Sequence, residues 1–352
     1  MKAVVAAGAL GLVLISAVPA SAAGDDVLFA FSDPTISEAS ALTPLGKGLY
    51  ATTNDSGDSG RVFTVDSRGD TVGVTHWAAD PVDVEGLAPA GRNHVWVGDI
   101  GDNNSVWDSI RIAKVRVGRG ERTVSPTVYE LVYPDGPHNA ESLLAHPDGR
   151  VFVATKDWGG GRLYTVPKHL DPDGPNRLKE VAPVIPMATD GAFFPDGKHL
   201  VVRGYYSATI YSWPSMDRVG SFRTPDQEQG EAIGVTSKGE VVVTSEGIRA
   251  EVIRVDPELV GEVLGDEPSP TADPTADTAP DEAEPANEGD GGDAGEDDGG
   301  SAGPIALVAL AVAAYFIFRK PEESLLIAIN RAREAMPLSF PTGAWTLLLA
   351  ST

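Results

Sequence analysis

Five acidic residues recur along the chain within similar short strings: Ser37-Glu38-Ala39, Val84-Glu85-Gly86-Leu87, Ala140-Glu141-Ser142-Leu143, Thr189-Asp190-Gly191-Ala192 and Gly230-Glu231-Ala232-Ile233. The acids lie 47, 56, 49 and 41 residues apart. Carboxylates gathered by a repeat can hold a cation, exchange protons, or raise one another's proton affinity. A second charged position follows each acid: Asp55, Asp99, Lys156, Arg203 and Glu246. Two oxygen-rich loops begin there, Asn54-Asp55-Ser56-Gly57-Asp58-Ser59-Gly60 and Asp99-Ile100-Gly101-Asp102-Asn103-Asn104. Asp55, Asp99, Asp102 and Asn103 suit a hard cation such as Ca²⁺, which takes six to eight oxygens. Their spacing is not that of an EF-hand loop, and the same residue types also make plain turns. Lys156 and Arg203 have two readings: salt bridges that keep buried carboxylates charged, or an anion site.

Other chemistry is sparse. His138, three residues before Glu141, is the histidine placed to act as a base or ligand, although a loop histidine in a Pro-Gly turn is the plainer reading. No Gly-x-Ser-x-Gly elbow and no phosphate-cradling glycine loop occurs.

What must position these residues is a repeated strand unit. Each acid is followed by a short apolar stretch, a glycine turn such as Pro147-Asp148-Gly149, and a β-branched second strand such as Glu240-Val241-Val242-Val243-Thr244. Third strands follow in all five copies, and fourth strands in the first four. A period near 50 residues with this content predicts an all-β fold, a five-bladed β-propeller. The interval before Glu141 leaves room for a sixth blade. The fifth copy stops at Asp256, and an orphan strand, Val27-Leu28-Phe29-Ala30-Phe31, precedes the first acid. That N-terminal strand is expected to complete the last blade and close the ring. In antiparallel blades the start of strand one and the end of strand two share one end. Ten charged side chains, eight acids and two cations, are therefore expected at one mouth of the central channel.

Composition divides the rest. Residues 1–22 read as a signal peptide: Lys2, an apolar run, and Ala20-Ser21-Ala22 as the cleavage site. The propeller is expected over residues 23–260. Residues 261–303 read as an acidic disordered linker; 13 Asp and Glu and no Lys or Arg fall between Asp266 and Gly300. This accounts for over half of the net charge of −24. Residues 304–318 are apolar and uncharged and precede Arg319-Lys320, the pattern of a short transmembrane helix with residues 319–352 as a cytoplasmic tail. The chain has no cysteine, which excludes disulfides, thiolate metal sites and a cysteine nucleophile. No basic patch offers itself to nucleic acid.

The strings Asp83-Val84-Glu85-Gly86-Leu87, Val97-Gly98-Asp99-Ile100-Gly101-Asp102-Asn103, Asn139-Ala140-Glu141, Thr155-Lys156, Thr189-Asp190-Gly191-Ala192-Phe193 and Ser245-Glu246-Gly247 carry a resemblance over about residues 27–256. The chain resembles a group of exported actinobacterial β-propeller proteins, often with a C-terminal membrane anchor. More distantly it is similar to the phytase-like and esterase-like propellers. That second resemblance implies a channel mouth holding Ca²⁺ and a phosphorylated substrate.

The expectation is a membrane-anchored, single-pass, monomeric protein with its propeller outside the cell. It binds a small-molecule or protein ligand, with a divalent cation, at a mouth built from Glu38, Glu85, Glu141, Asp190, Glu231, Lys156, Arg203, Glu246 and His138. A calcium-dependent phosphoesterase and a non-catalytic interaction scaffold are the alternatives.

Overall fold

The computed structural model describes residues 26–77 and 80–265. The segments read above as signal peptide, transmembrane helix and cytoplasmic tail, and most of that read as linker, lie outside the described residues. Among the described residues no helix is long and apolar enough to cross a membrane.

The chain opens with β1 (Asp26–Ala30). Blade 1 is β2 (Ala39–Gly46), β3 (Leu49–Asn54), β4 (Arg61–Asp66) and β5 (Thr71–Trp77). Blade 2 is β6 (Val84–Pro89), β7 (His94–Asp99), β8 (Ile110–Arg116) and, after β9 (Arg122–Val124), β10 (Val128–Val132). Blade 3 is β11 (Ala140–Ala145), β12 (Val151–Thr155), β13 (Gly161–Thr165) and, after β14 (Asn176–Arg177), β15 (Lys179–Val184). Blade 4 is β16 (Asp190–Phe193), β17 (His199–Arg203), β18 (Ser207–Ser212) and β19 (Arg218–Arg223). Blade 5 is β20 (Gly230–Val235), β21 (Val241–Ser245) and β22 (Glu251–Arg254), and helix α1 (Pro257–Leu264) follows. The hairpin glycines adopt the left-handed backbone expected of them, with φ of 92° at Gly149 and 85° at Gly239.

The five sheets form a five-bladed propeller, with no sixth blade among the described residues. The inner strands β2, β6, β11, β16 and β20 pack each on the next around the ring. Five apolar cores fill the five gaps between blades. One example joins Leu131 and Ile112 of blade 2 to Leu143 and Tyr164 of blade 3. Each blade is thus covered on both faces, which explains why β12 is buried at every position rather than alternating.

Closure follows the sequence expectation. β1 pairs antiparallel with β22 as the outer strand of blade 5, and Phe29 and Phe31 enter the core between blades 5 and 1. Ser32 N–H then donates to Gly69 O of blade 1 at 2.9 Å, which binds the seam on its other side.

Three devices on the outer edges are not anticipated by the repeat. β9, an insertion in blade 2, adds in parallel to β5 of blade 1. β14, an insertion in blade 3, adds in parallel to β10 of blade 2. Helix α1 leaves blade 5 and lies on β19 of blade 4, so closely that a Cβ on Gly220 would meet Val263 Cγ1 at 2.8 Å. Each reaches back to the preceding blade; β9 and β14 cover an exposed strand edge, and α1 seals the core between blades 4 and 5 with Val260 and Val263. The helix has local causes: Asp256 caps Glu258 N–H, Pro257 sits in the first turn, and Gly265 ends it at φ 79°. It runs to Leu264, beyond residue 260 where the sequence placed the end of the propeller.

Candidate functional site

Strand register decides which side chains reach the channel. In blades 2, 3 and 5 the inner strand carries a bulge near its start, and Glu85, Glu141 and Glu231 occupy it. A bulge re-aims a side chain out of the ladder. In blade 1 the bulged residue is Ser40, not Glu38. Glu38 is exposed and stands at the place of Asp83, since Glu38 O accepts from Asp55 N–H as Asp83 O accepts from Ile100 N–H. The expectation that Glu38 belongs to the ring is therefore corrected to Ser40. Ser40 Oγ donates to Glu85 Oε2 at 2.5 Å. The inner strand of blade 4 has no bulge; Asp190 pairs directly with Arg203. The Asp190 carboxylate accepts from Ile233 N–H at 2.9 Å and Gly191 N–H at 2.7 Å, so it joins blade 4 to blade 5.

The second charged position splits in the same way. Asp99 and Arg203 lie in the paired register, opposite Val84 and Asp190. Asp55, Lys156 and Glu246 lie one residue beyond their paired partners Asn54, Thr155 and Ser245. A one-residue step turns a side chain to the other face. The ten side chains consequently do not converge as one set.

The mouth that does form contains Asp55, Asp83, Glu85, Glu141 and Glu231, all buried, with Lys156. One carboxylate oxygen from each of Asp55, Asp83 and Glu85 lies within 4.8 Å of the others. Asp55 comes from blade 1 and the other two from blade 2. Gly101 backs them closely: a Cβ there would meet Asp83 Cγ at 2.5 Å and Glu85 Cγ at 2.8 Å. A shallow depression lined by Asp55 and Val82 lies between the two blades.

Lys156 Nζ bonds Glu141 Oε2 and lies 4.9 Å above the ring of Tyr205. Burial pushes Glu85 well above the ordinary carboxylate range, and the charges of Glu141, Asp55 and Asp83 push it further, against the Ser40 bond. Burial also raises Glu141 to about 7, although Lys156 pulls it down. Glu231 is raised by burial, and is held back by Lys156 and by the Gln229 side-chain amide. Burial likewise lifts Asp190 well above its ordinary range, while the Ile233 and Gly191 N–H groups lower it. These carboxylates sense one another through a low-dielectric space, so they behave as one site.

Arg203 does not face a ligand. Its side chain is fully buried; Nη1 donates to Ala232 O at 2.7 Å and Thr244 O at 2.9 Å, and Nη2 to Gln227 Oε1 at 2.7 Å. Burial lowers it to about 10, so it stays charged at neutral pH, and Glu231 and Asp190 favour that charge. Asp99 is taken by the Arg111 guanidinium and by the N–H groups of Val82 and Asp83, so it holds the loop before β6. Asp102 accepts from Trp107 N–H at 2.7 Å. Asn103 is exposed and donates to Asp83 Oδ2 at 3.4 Å. Of the three expected carboxylate ligands, only Asp55 belongs to the cluster, which Asp83 and Glu85 complete. Glu246 is half-buried on its loop.

His138 has other neighbours. Its Nε2 is 3.3 Å from Asp135 Oδ2 and its Nδ1 is 3.3 Å from Asp157 Oδ2, with the rings of Tyr133 and Tyr164 beside it. Both ring nitrogens are engaged, and no ring carboxylate is among these partners.

Ser40, Asp83 and Tyr205 were missed in the sequence. Aligning the small and apolar residues, Ala39-Ser40-Ala41-Leu42 on Val84-Glu85-Gly86-Leu87 and Ala140-Glu141-Ser142-Leu143, would have found Ser40 and placed Asp83 opposite Glu38. The chain matches no model of a known protein family and no curated protein.

Proposed function

We propose that this chain is a cell-surface, membrane-anchored propeller that binds a ligand, together with a divalent cation, at its acidic mouth. The observation that carries the reading is the buried trio Asp55, Asp83 and Glu85, which two adjacent blades hold within reach of one ion. An all-oxygen donor set favours a hard cation. Ca²⁺ is the first choice, because it accepts irregular geometry and bidentate carboxylates, whereas Mg²⁺ demands a near-ideal octahedron. Binding is better supported than phosphoester hydrolysis. The two cations that would hold a phosphate are committed, Lys156 to Glu141 and Arg203 to backbone carbonyls.

The raised carboxylates give this reading a pH signature. A carboxyl whose folded pKa exceeds its unfolded value stabilises the fold at low pH, and that contribution is lost as pH rises through the folded pKa. For Glu141 the window runs from 4.5 to about 7. The cation-free protein should therefore melt at progressively lower temperature across that window. A cation replaces the proton on Glu85, so its affinity should rise with pH, and binding should release protons. At a hundredfold excess over its dissociation constant the ion should add about 2.7 kcal/mol. Melting of the full chain with Ca²⁺, with Mg²⁺ and with chelator checks this. Identical curves in all three, or a Glu85→Gln variant that responds as the parent does, would refute the cation site.

The membrane placement rests on the leader-like residues 1–22 and the apolar run 304–318 followed by Arg319-Lys320. This topology places residues 266–300 outside the cell, within reach of an added protease. Protease added to intact cells should release the propeller. Protection of the whole chain would overturn the topology.

A further inference from the structure

Seven large apolar side chains stand exposed among the described residues, and five of them share the mouth face. Val106, Trp158, Tyr206 and Ile248 lie on the loops joining the second and third strands of blades 2, 3, 4 and 5. Val82 lies on the loop that enters β6. Antiparallel alternation puts all these loops at one end of the ring, around the carboxylates. Their exposures run from 56% at Trp158 to 68% at Tyr206. Nothing in the fold requires a tryptophan, tyrosine, isoleucine and two valines on loop tips, and clustered exposed apolar groups mark a binding surface. The equivalent loop of blade 1, Asp55 to Gly60, carries no apolar residue, so the rim is open on that side.

The centre of this face is rich in carboxyl groups. Asp55, Asp83, Glu85, Glu141 and Glu231 outnumber Lys156, and the loops add Asp80, Asp108 and Glu228 against Arg249. The chain itself shows how such a centre receives a cation. Lys156 seats its ammonium between the Glu141 carboxylate and the face of Tyr205, next to the exposed Tyr206. The depression at Asp55 encloses no space for a water molecule, whereas a small-ligand pocket holds roughly 300–1,000 Å³. A broad face with aromatic tips around a shallow charged centre suits a protein partner.

We propose that the mouth face docks a protein partner that presents a lysine or arginine side chain to the central carboxylates and apolar side chains to the rim of Val82, Val106, Trp158, Tyr206 and Ile248. This rests on the mouth being the functional face, and not on the cation proposed above. A library of random displayed peptides, selected on the full chain in the presence of chelator, tests it. The enriched peptides should share a basic residue flanked by apolar ones. Replacing that basic residue by norleucine should weaken binding about 30-fold, as should Trp158→Ala or Tyr206→Ala in the propeller. These positions are exposed, so melting should not change, and Ile248→Ser provides an independent rim variant. Failure to enrich any peptide, a consensus without a basic residue, or rim variants that bind as the parent does would each overturn the proposal. The two readings fail separately: a lost cation-dependent melting shift leaves peptide binding in chelator intact, and the converse holds.

Discussion

Arg203→Met should destabilise the propeller by about 3–5 kcal/mol, the range for removing one member of a buried charged network. Methionine fills similar volume, so the effect isolates the guanidinium. That group joins blade 4 to two carbonyls of blade 5, Ala232 O and Thr244 O, and to Gln227. Each carbonyl left dry costs about 1–3 kcal/mol. The guanidinium also presses on Gly230, where a Cβ would stand 1.9 Å from Nη2. Asp190 and Glu231 then lose the cation that favours their charged forms. They respond by taking protons, which moderates the loss, and the pH dependence of stability should steepen accordingly. For a domain of this size the midpoint should fall by roughly 6–20 °C. Arg203→Lys should recover only part of it, because an ammonium lacks the fork that serves several acceptors at once. Denaturant unfolding measures the difference. A loss under about 1 kcal/mol would mean that the two carbonyls find other donors, and that Arg203 is not the joint between these blades.

Phe31→Ala should cost about 3–5 kcal/mol, as for other buried phenylalanines. Phe31 is 1% exposed, and it meets Phe29 edge-on at 5.9 Å inside the core that joins the last blade to the first. Its N–H donates to Ala250 O at 3.1 Å. Removing Val27 to Phe31 altogether should do more. It strips β22 of its outer partner and leaves an open strand edge where the ring closes, a template for association. Melting and light scattering of the two variants together decide the matter. If the deleted protein melts with the intact one and stays monomeric, the N-terminal strand does not close the ring.

Several features were legible in the chain alone because they are local. Runs such as Val241-Val242-Val243 fit a pleated strand, glycines at Gly149 and Gly239 permit the tight turns, and the same unit returns five times. Counting strands exposed the missing member of the fifth blade and the spare one at Val27 to Phe31, and their pairing is found in the fold. The α1 signals, Asp256 with Pro257 and Gly265, are equally local, but they lie beyond the last strand of the repeat.

The site was not legible to the same depth. Side chains on a strand alternate with period two, so a shift of one residue reverses the face, and a bulge inserts such a shift without any mark in the sequence. Anchoring the repeat on acids chose Glu38, whereas packing chose Ser40, because Ala39, Ala41 and Leu42 fill the core and fix the register around it. The same rule separates Asp99 and Arg203 from Asp55 and Lys156. Partners were further out of reach. Lys156 meets Tyr205, Arg203 meets Ala232, and Asp55 meets Asp83 and Glu85 only because adjacent blades bring distant segments side by side. The sequence by itself determined the repeated strand unit, its five copies and the strand that closes the ring, since propensity and turn chemistry act over a few residues. Only the tertiary structure decided which carboxylates share a space, because that depends on register and on contacts between blades.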